Sequence, residues 1–135
     1  MNAVDTNILI YVKDPRDPVK QKVCADLLAN MPDQVLLYQV ACEYLAASRK
    51  LVKHGYSLEQ AFKDIDDLSG LLGVKIPSPS VFQQAKLLLT SYSLSFWDAM
   101  VVAASKEAGV DRLYSEDFDA YPIISGIAIV NPFKP

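Results

Sequence analysis

Short apolar runs alternating with helical patterns constrain this chain more than any single motif does. Residues 2–4, 34–38, 74–76, 112–115 and 127–130 read as strands. Residues 15–30 carry a helical stripe of Val19, Val23, Leu27 and Leu28, ended by Pro32. Residues from about 39 to 53 form the next helix, stopped by Gly55. Ser57-Leu58-Glu59-Gln60 has capping-box spacing and opens a helix to about residue 72. Further helices are expected over about 80–91 and from Ser95 to Gly109. Such alternation predicts an α/β fold, with a mostly parallel sheet of about five strands covered by helices on both faces. At 135 residues, without repeats or a long linker, the chain suits one domain over 1–135.

In sheets of this kind ligands bind outside the carboxyl ends of the strands, where strand order reverses. Position in the sequence therefore says which acids meet. Asp5 ends the first strand, and Glu43 lies in the first turns of the helix after the second. Asp98 stands in the first turn of its own helix, and Asp117 follows the strand Leu113-Tyr114-Ser115. All four are expected at one edge of the sheet. Glu59, Asp64, Asp66 and Asp67 sit on polar helix faces and have no such reason to converge.

Two carboxylates about 4 Å apart repel by roughly 4 kcal/mol at an effective dielectric near 20. A cluster of four must hold protons at raised pKa or bind cations. All-oxygen ligands suit hard ions, so Mg²⁺ or Mn²⁺ is the expected cofactor. Bound there, such ions would lower the pKa of a water and clamp a scissile phosphate. The net charge of −3 agrees with this, because phosphate-gripping proteins without metals are usually basic.

Each acid also has an ordinary structural reading. Ser95 and Asp98 have the spacing of a capping box, and Asp5 with Thr6 and Asn7 could cap a helix after a strand. Glu43 could complement a helix dipole, and Asp117 could be a plain loop acid. Only together, placed after strands or at helix starts around one edge, do the four acids point to a site. A phosphatase with Asp5 as nucleophile would resemble the haloacid-dehalogenase-like enzymes, which usually place a second Asp two residues on; Asn7 stands there.

Taken in order, Val4-Asp5-Thr6-Asn7, Val40-Ala41-Cys42-Glu43, Trp97-Asp98-Ala99, Leu113-Tyr114-Ser115-Glu116-Asp117 and Val130-Asn131-Pro132-Phe133 resemble the PIN domain family. Within it they are most similar to the VapC-type toxins of bacteria and archaea. The pieces span nearly the whole chain, each short but specific as an ordered set. The resemblance implies a three-layer α/β/α fold, Mg²⁺- or Mn²⁺-dependent RNA cleavage, a homodimer and a small antitoxin that blocks the site. It implies Asp5, Glu43, Asp98 and Asp117 as metal-binding and catalytic acids, with Thr6, Asn7 and Ser115 orienting carboxylates or waters. Asp117 fits the family's Ser/Thr-x-Asp pattern; Glu116 and Asp119 crowd beside it as alternatives for the fourth acid.

Other residues invite partner readings. Arg49, Lys50, Lys53 and His54 form the densest basic group, an RNA-phosphate patch or a solvated helix end. Lys13, Arg16, Lys20 and Lys22 form a second. Trp97 beside Asp98 is either a core residue, the usual place for a lone tryptophan, or a platform for base stacking. Tyr38, Tyr44 and Tyr56 either line a groove for an antitoxin peptide or pack. Leu45, Leu51, Val52 and Phe62 exceed what the sheet covers, suggesting a dimer or antitoxin surface. Cys24 and Cys42 are expected to be buried free thiols. With no signal peptide pattern and no long uncharged apolar run, the chain is expected to be soluble and cytoplasmic.

Overall fold

A computed structural model describes residues 1–118 and 121–134, so Asp119 lies outside the described residues. The sheet is built around β1 (Asn2–Val4). On one side β1 pairs in parallel with β4 (Arg112–Tyr114), which pairs in parallel with β6 (Ile127–Val130). On the other side Asn2 bridges in parallel to Gln34, just before β2 (Leu36–Leu37). β2 in turn pairs in parallel with β3 (Val74–Lys75). The chain leaves β1 toward β2 and later returns to its opposite side as β4. Strand order therefore reverses at β1, the place where such sheets bind ligands.

The helices form two groups, one for each face of the sheet. The first contains α1 (Thr6–Lys13), α2 (Pro18–Asn30), α3 (Tyr38–Ala47) and α4 (Leu58–Leu72). The second is the tightly packed pair α5 (Val81–Ser91) and α6 (Phe96–Ala108). Ala99, Val101, Val102, Ala103, Ala104 and Ser105 are all buried on α6. Such small side chains let its backbone lie close to both α5 and the sheet, giving the three-layer arrangement expected from the alternating pattern. No helix among the described residues is long and apolar enough to cross a membrane.

Four details depart from the sequence reading. The run Thr6-Asn7-Ile8-Leu9-Ile10-Tyr11-Val12-Lys13, left without an element, is helix α1. The α2 stripe is centred on buried Cys24, and Val19 is 73% exposed. The helix expected over about 39–53 ends at Ala47, and Ser48–His54 continues as 3-10 helix, closed by Gly55 at φ 93°. A sixth strand, β5 (Ile123–Ile124), pairs antiparallel with β6. Ser125 and Gly126 join the two with φ of 52° and 83°, the backbone of a type I′ hairpin turn.

Candidate metal centre

The carboxyl ends of β1 and β4, with the starts of α1, α3 and α6, bring the predicted acids to one edge. Asp5 N–H donates to the Tyr114 carbonyl at 2.8 Å, carrying the β1–β4 ladder up to the acid itself. The Asp5 side chain is only 5% exposed. Its Oδ1 accepts the Thr6 N–H at 2.8 Å, and its Oδ2 accepts the Ser115 hydroxyl at 2.9 Å. Ser115 Oγ in turn accepts the Asp117 N–H at 3.1 Å. One buried hydroxyl thus sets the orientation of Asp5 and the path of the Asp117 loop. Asn7 completes that link by donating from Nδ2 to Asp117 Oδ2 at 2.7 Å.

Glu43 lies in the second turn of α3, too far from the helix start for the dipole reading to explain it. Both its oxygens are held. Thr6 Oγ1 donates to Oε2 at 2.8 Å, and Gln39 Nε2 donates to Oε1 at 2.6 Å. Thr6 therefore touches Asp5 through its backbone and Glu43 through its side chain. Gln39 is a contributor the sequence reading missed. Its signal was there, since residues four apart share a helix face. At α6, the Ser95 hydroxyl accepts the Asp98 N–H at 3.1 Å, so the expected cap forms. Ser95 also interacts with the Asp98 carboxylate, holding its pKa down against the effect of burial.

The electrostatics separate these acids from ordinary surface carboxylates. Burial, with a smaller push from the charges of Asp117 and Glu43, raises the Asp5 pKa to about 6. Hydrogen bonds from Thr6 and Ser115 oppose that shift without cancelling it. Burial also raises the Asp98 pKa, with Glu43 contributing. Among the described residues, no lysine or arginine forms an ion pair with Asp5, Glu43 or Asp98. Negative charge is thus gathered around Asp5, Glu43 and Asp98.

A hard divalent cation fits this donor set in chemistry, though not as a closed cage. No three Asp, Glu, His or Cys side chains among the described residues converge tightly enough to hold an ion alone. Mg²⁺ does not require that, because it is usually held by one or two carboxylates and keeps several waters. Asp5 with Glu43 or Asp98 would supply such a pair; Thr6 and Ser115 fix the oxygens of Asp5, and Thr6 and Gln39 those of Glu43.

Glu116 is occupied elsewhere. Tyr11 donates its hydroxyl to Glu116 Oε1, and Lys20 Nζ pairs with Oε2 at 2.9 Å. The same ammonium lies 4.8 Å from the ring centroids of Tyr11 and Phe133, which meet edge to face. Glu116 ties α1, α2 and the chain end to the acidic loop while Asp117 joins the cluster. Of the alternatives for the fourth acid, Asp119 lies outside the described residues.

The basic groups divide in the same way. Lys13, Arg16, Lys20 and Lys22 pair with Asp64, Asp14, Glu116 and Asp26, so they form no free phosphate patch. Arg49, Lys50, Lys53 and His54 are all exposed on the 3-10 segment. Tyr44 and Tyr56 are buried with their hydroxyls joined, and Tyr56 donates to Asp64 at 2.6 Å; only Tyr38 is exposed. Leu51 is fully buried, while Val52 and Phe62 are 50% and 60% exposed. Cys24 is buried as expected, but Cys42 is exposed. Trp97, the usual core residue, is 63% exposed.

The PIN domain family model matches residues 3–123, which includes the edge just described. The chain belongs to the PIN domain family. No curated protein matches it significantly in sequence. Solved structures of similar fold include a toxin–antitoxin complex from Klebsiella pneumoniae, 19% identical, covering 100% of both chains at a TM-score of 0.72. VapC20 of Mycobacterium tuberculosis, described as a sarcin–ricin loop cleaving toxin, is 19% identical, with 95% of this PIN domain and 99% of that chain covered at 0.71. VapBC-1 from nontypeable Haemophilus influenzae is 16% identical over 98% of each chain, at 0.68. At these identities the likeness establishes the fold.

Proposed function

We propose that this PIN domain is a Mg²⁺- or Mn²⁺-dependent endoribonuclease, the toxin of a toxin–antitoxin pair, working as a homodimer in the cytoplasm. The observation that carries the reading is Asp5. It is a carboxylate 5% exposed, beside Glu43 and Asp117, with no ion pair to a lysine or arginine among the described residues. A fold tolerates that arrangement when a cation compensates it. The bound cation would supply an activated water and charge stabilisation at the scissile phosphate.

The chain's own residues divide the remaining work. Asp5 and Asp98 would hold the cation. Glu43, fixed by Thr6 and Gln39, orients a water or adds a ligand. Asp117, steered by Asn7 and Ser115, acts from the loop on the opposite side of Asp5. An antitoxin partner is supported by the toxin–antitoxin complexes among the structures of similar fold. A groove of about 250 Å³ between α1, α2, α3 and α4, lined by Leu9, Val12, Leu28, Tyr44, Leu68 and Leu71, offers an apolar segment a seat. A second reading, a PIN-fold binding module without catalysis, is favoured by the absence of a closed acid cage among the described residues.

Mixed structured RNAs incubated with Mg²⁺ or Mn²⁺ separate the two. The nuclease reading expects endonucleolytic cuts that disappear with EDTA and return when metal is restored. RNA left intact at every metal concentration leaves the binding module standing.

A further inference from the structure

Trp97 is the largest side chain near the acids that the core does not use. It precedes Asp98 in the first turn of α6 and is 63% exposed. Two contacts fix its place relative to the acids. Phe96 packs edge to face against it, with ring centroids 5.2 Å apart at 76°. Gln39 Nε2 donates both to Glu43 Oε1 at 2.6 Å and to the Trp97 carbonyl at 3.1 Å. One amide thus joins the acid and the backbone that carries the indole.

Between them runs an open groove of about 490 Å³, lined by Gln39, Cys42, Glu43, Ala46 and Trp97. Residues 39, 42, 43 and 46 lie on one face of α3 by their spacing, so the helix forms one wall and the indole the other. The walls are mostly apolar, and the groove is continuous with the acid edge because both contain Glu43.

We infer that this groove is a nucleobase subsite, in which Trp97 stacks on an unpaired base of the RNA strand whose phosphate lies at Asp5, Glu43 and Asp98. The inference rests on the nuclease reading and adds how the substrate is gripped. Stacking suits this chain in particular. It needs no cation on the protein, and a chain of net charge −3 has no lysine or arginine in the groove. Every base has a π-face, so the platform selects for single-stranded RNA near the cut more than for one base.

Trp97 is the only tryptophan in the chain, so its fluorescence reports the groove directly. The test titrates short single-stranded oligoribonucleotides into the protein in EDTA, beside abasic oligomers of equal length. The expected result is saturable quenching by the former and none by the latter. In metal-dependent cleavage, Trp97→Ala raises KM by about 10-fold with little change in kcat, and Trp97→Phe restores most of the loss.

Equal quenching by abasic oligomers, or wild-type KM in Trp97→Ala, overturns the inference. So does an indole shielded from acrylamide in the protein alone, since a second copy would then cover it. Cleavage by wild type without quenching removes the stacking site and leaves the nuclease reading standing. Quenching without cleavage does the reverse.

Discussion

Asp5→Asn is expected to abolish RNA cleavage and, in metal-free buffer at about pH 7.5, to make the protein more stable. The two effects have one origin. Asp5 is buried among Glu43 and Asp117, and its pKa stands near 6 against an ordinary value of 3.8. Below about pH 3 the carboxyl is protonated whether the chain is folded or not, and it costs nothing. As pH rises toward 6 the unfolded chain releases the proton before the folded one does. Stability therefore falls through that window and stays lower above it. The difference corresponds to about 3 kcal/mol at neutral pH. Asparagine keeps the shape and an oxygen for the Thr6 N–H, and it removes the charge.

Thermal unfolding without metal should then show the variant melting roughly 5–10 °C above wild type at about pH 7.5. Near pH 3 the two should converge. Cleavage should fall by about 1,000-fold or more, because the most buried anionic ligand is lost. Asp5 is in this account a group that costs stability and supplies function. A variant that is less stable at every pH, or that still cuts RNA, would show that Asp5 is only a helix cap.

The second large effect is expected at Ser115, which is 1% exposed. Its hydroxyl donates to Asp5 Oδ2 and accepts the Asp117 N–H, so Ser115→Ala releases two acids at once. Stability should drop by about 1–2 kcal/mol, the usual cost of a lost buried hydrogen bond. Metal affinity and cleavage should each fall by about 10- to 100-fold, as when ligand-orienting groups are removed elsewhere. The hydroxyl also lowers the Asp5 pKa, so its loss pushes that pKa higher and moves the stability transition to higher pH. Ser115→Thr keeps the hydroxyl and should recover most of the activity. A purely structural serine would lower the melting temperature and leave metal affinity unchanged.

The sequence announced the acid edge because of a regular property of parallel sheets. A strand that ends in the core delivers the next polar residue to one rim, as β1 delivers Asp5 and β4 delivers Ser115. What stayed hidden depended on contacts between distant residues. Helix α1 has only eight residues, and its β-branched run, Ile8 and Ile10 with Val12, carries no clear helical stripe. Tertiary packing of Ile8 and Leu9 decides its conformation. Strand β5 has two residues and exists by pairing with β6.

Glu116 and Asp117 are neighbours of equal charge, and locally only the Ser115-x-Asp117 spacing tells them apart. The clamp of Tyr11 and Lys20 does so as well, drawing on residues roughly a hundred positions earlier in the chain. Of the two readings of Trp97, the core one fails for a related reason. Small side chains fill the buried side of α6, which turns the indole outward beside Glu43.

Calorimetric titration of Mn²⁺ into wild type and Asp5→Asn at about pH 7.5 and about pH 6 tests the metal centre most directly. The account predicts saturable binding to wild type and little or none to the variant. Near pH 6 it predicts proton release as Asp5 takes up the ion. Wild type that binds no Mn²⁺, or a variant that binds it equally well, would contradict it.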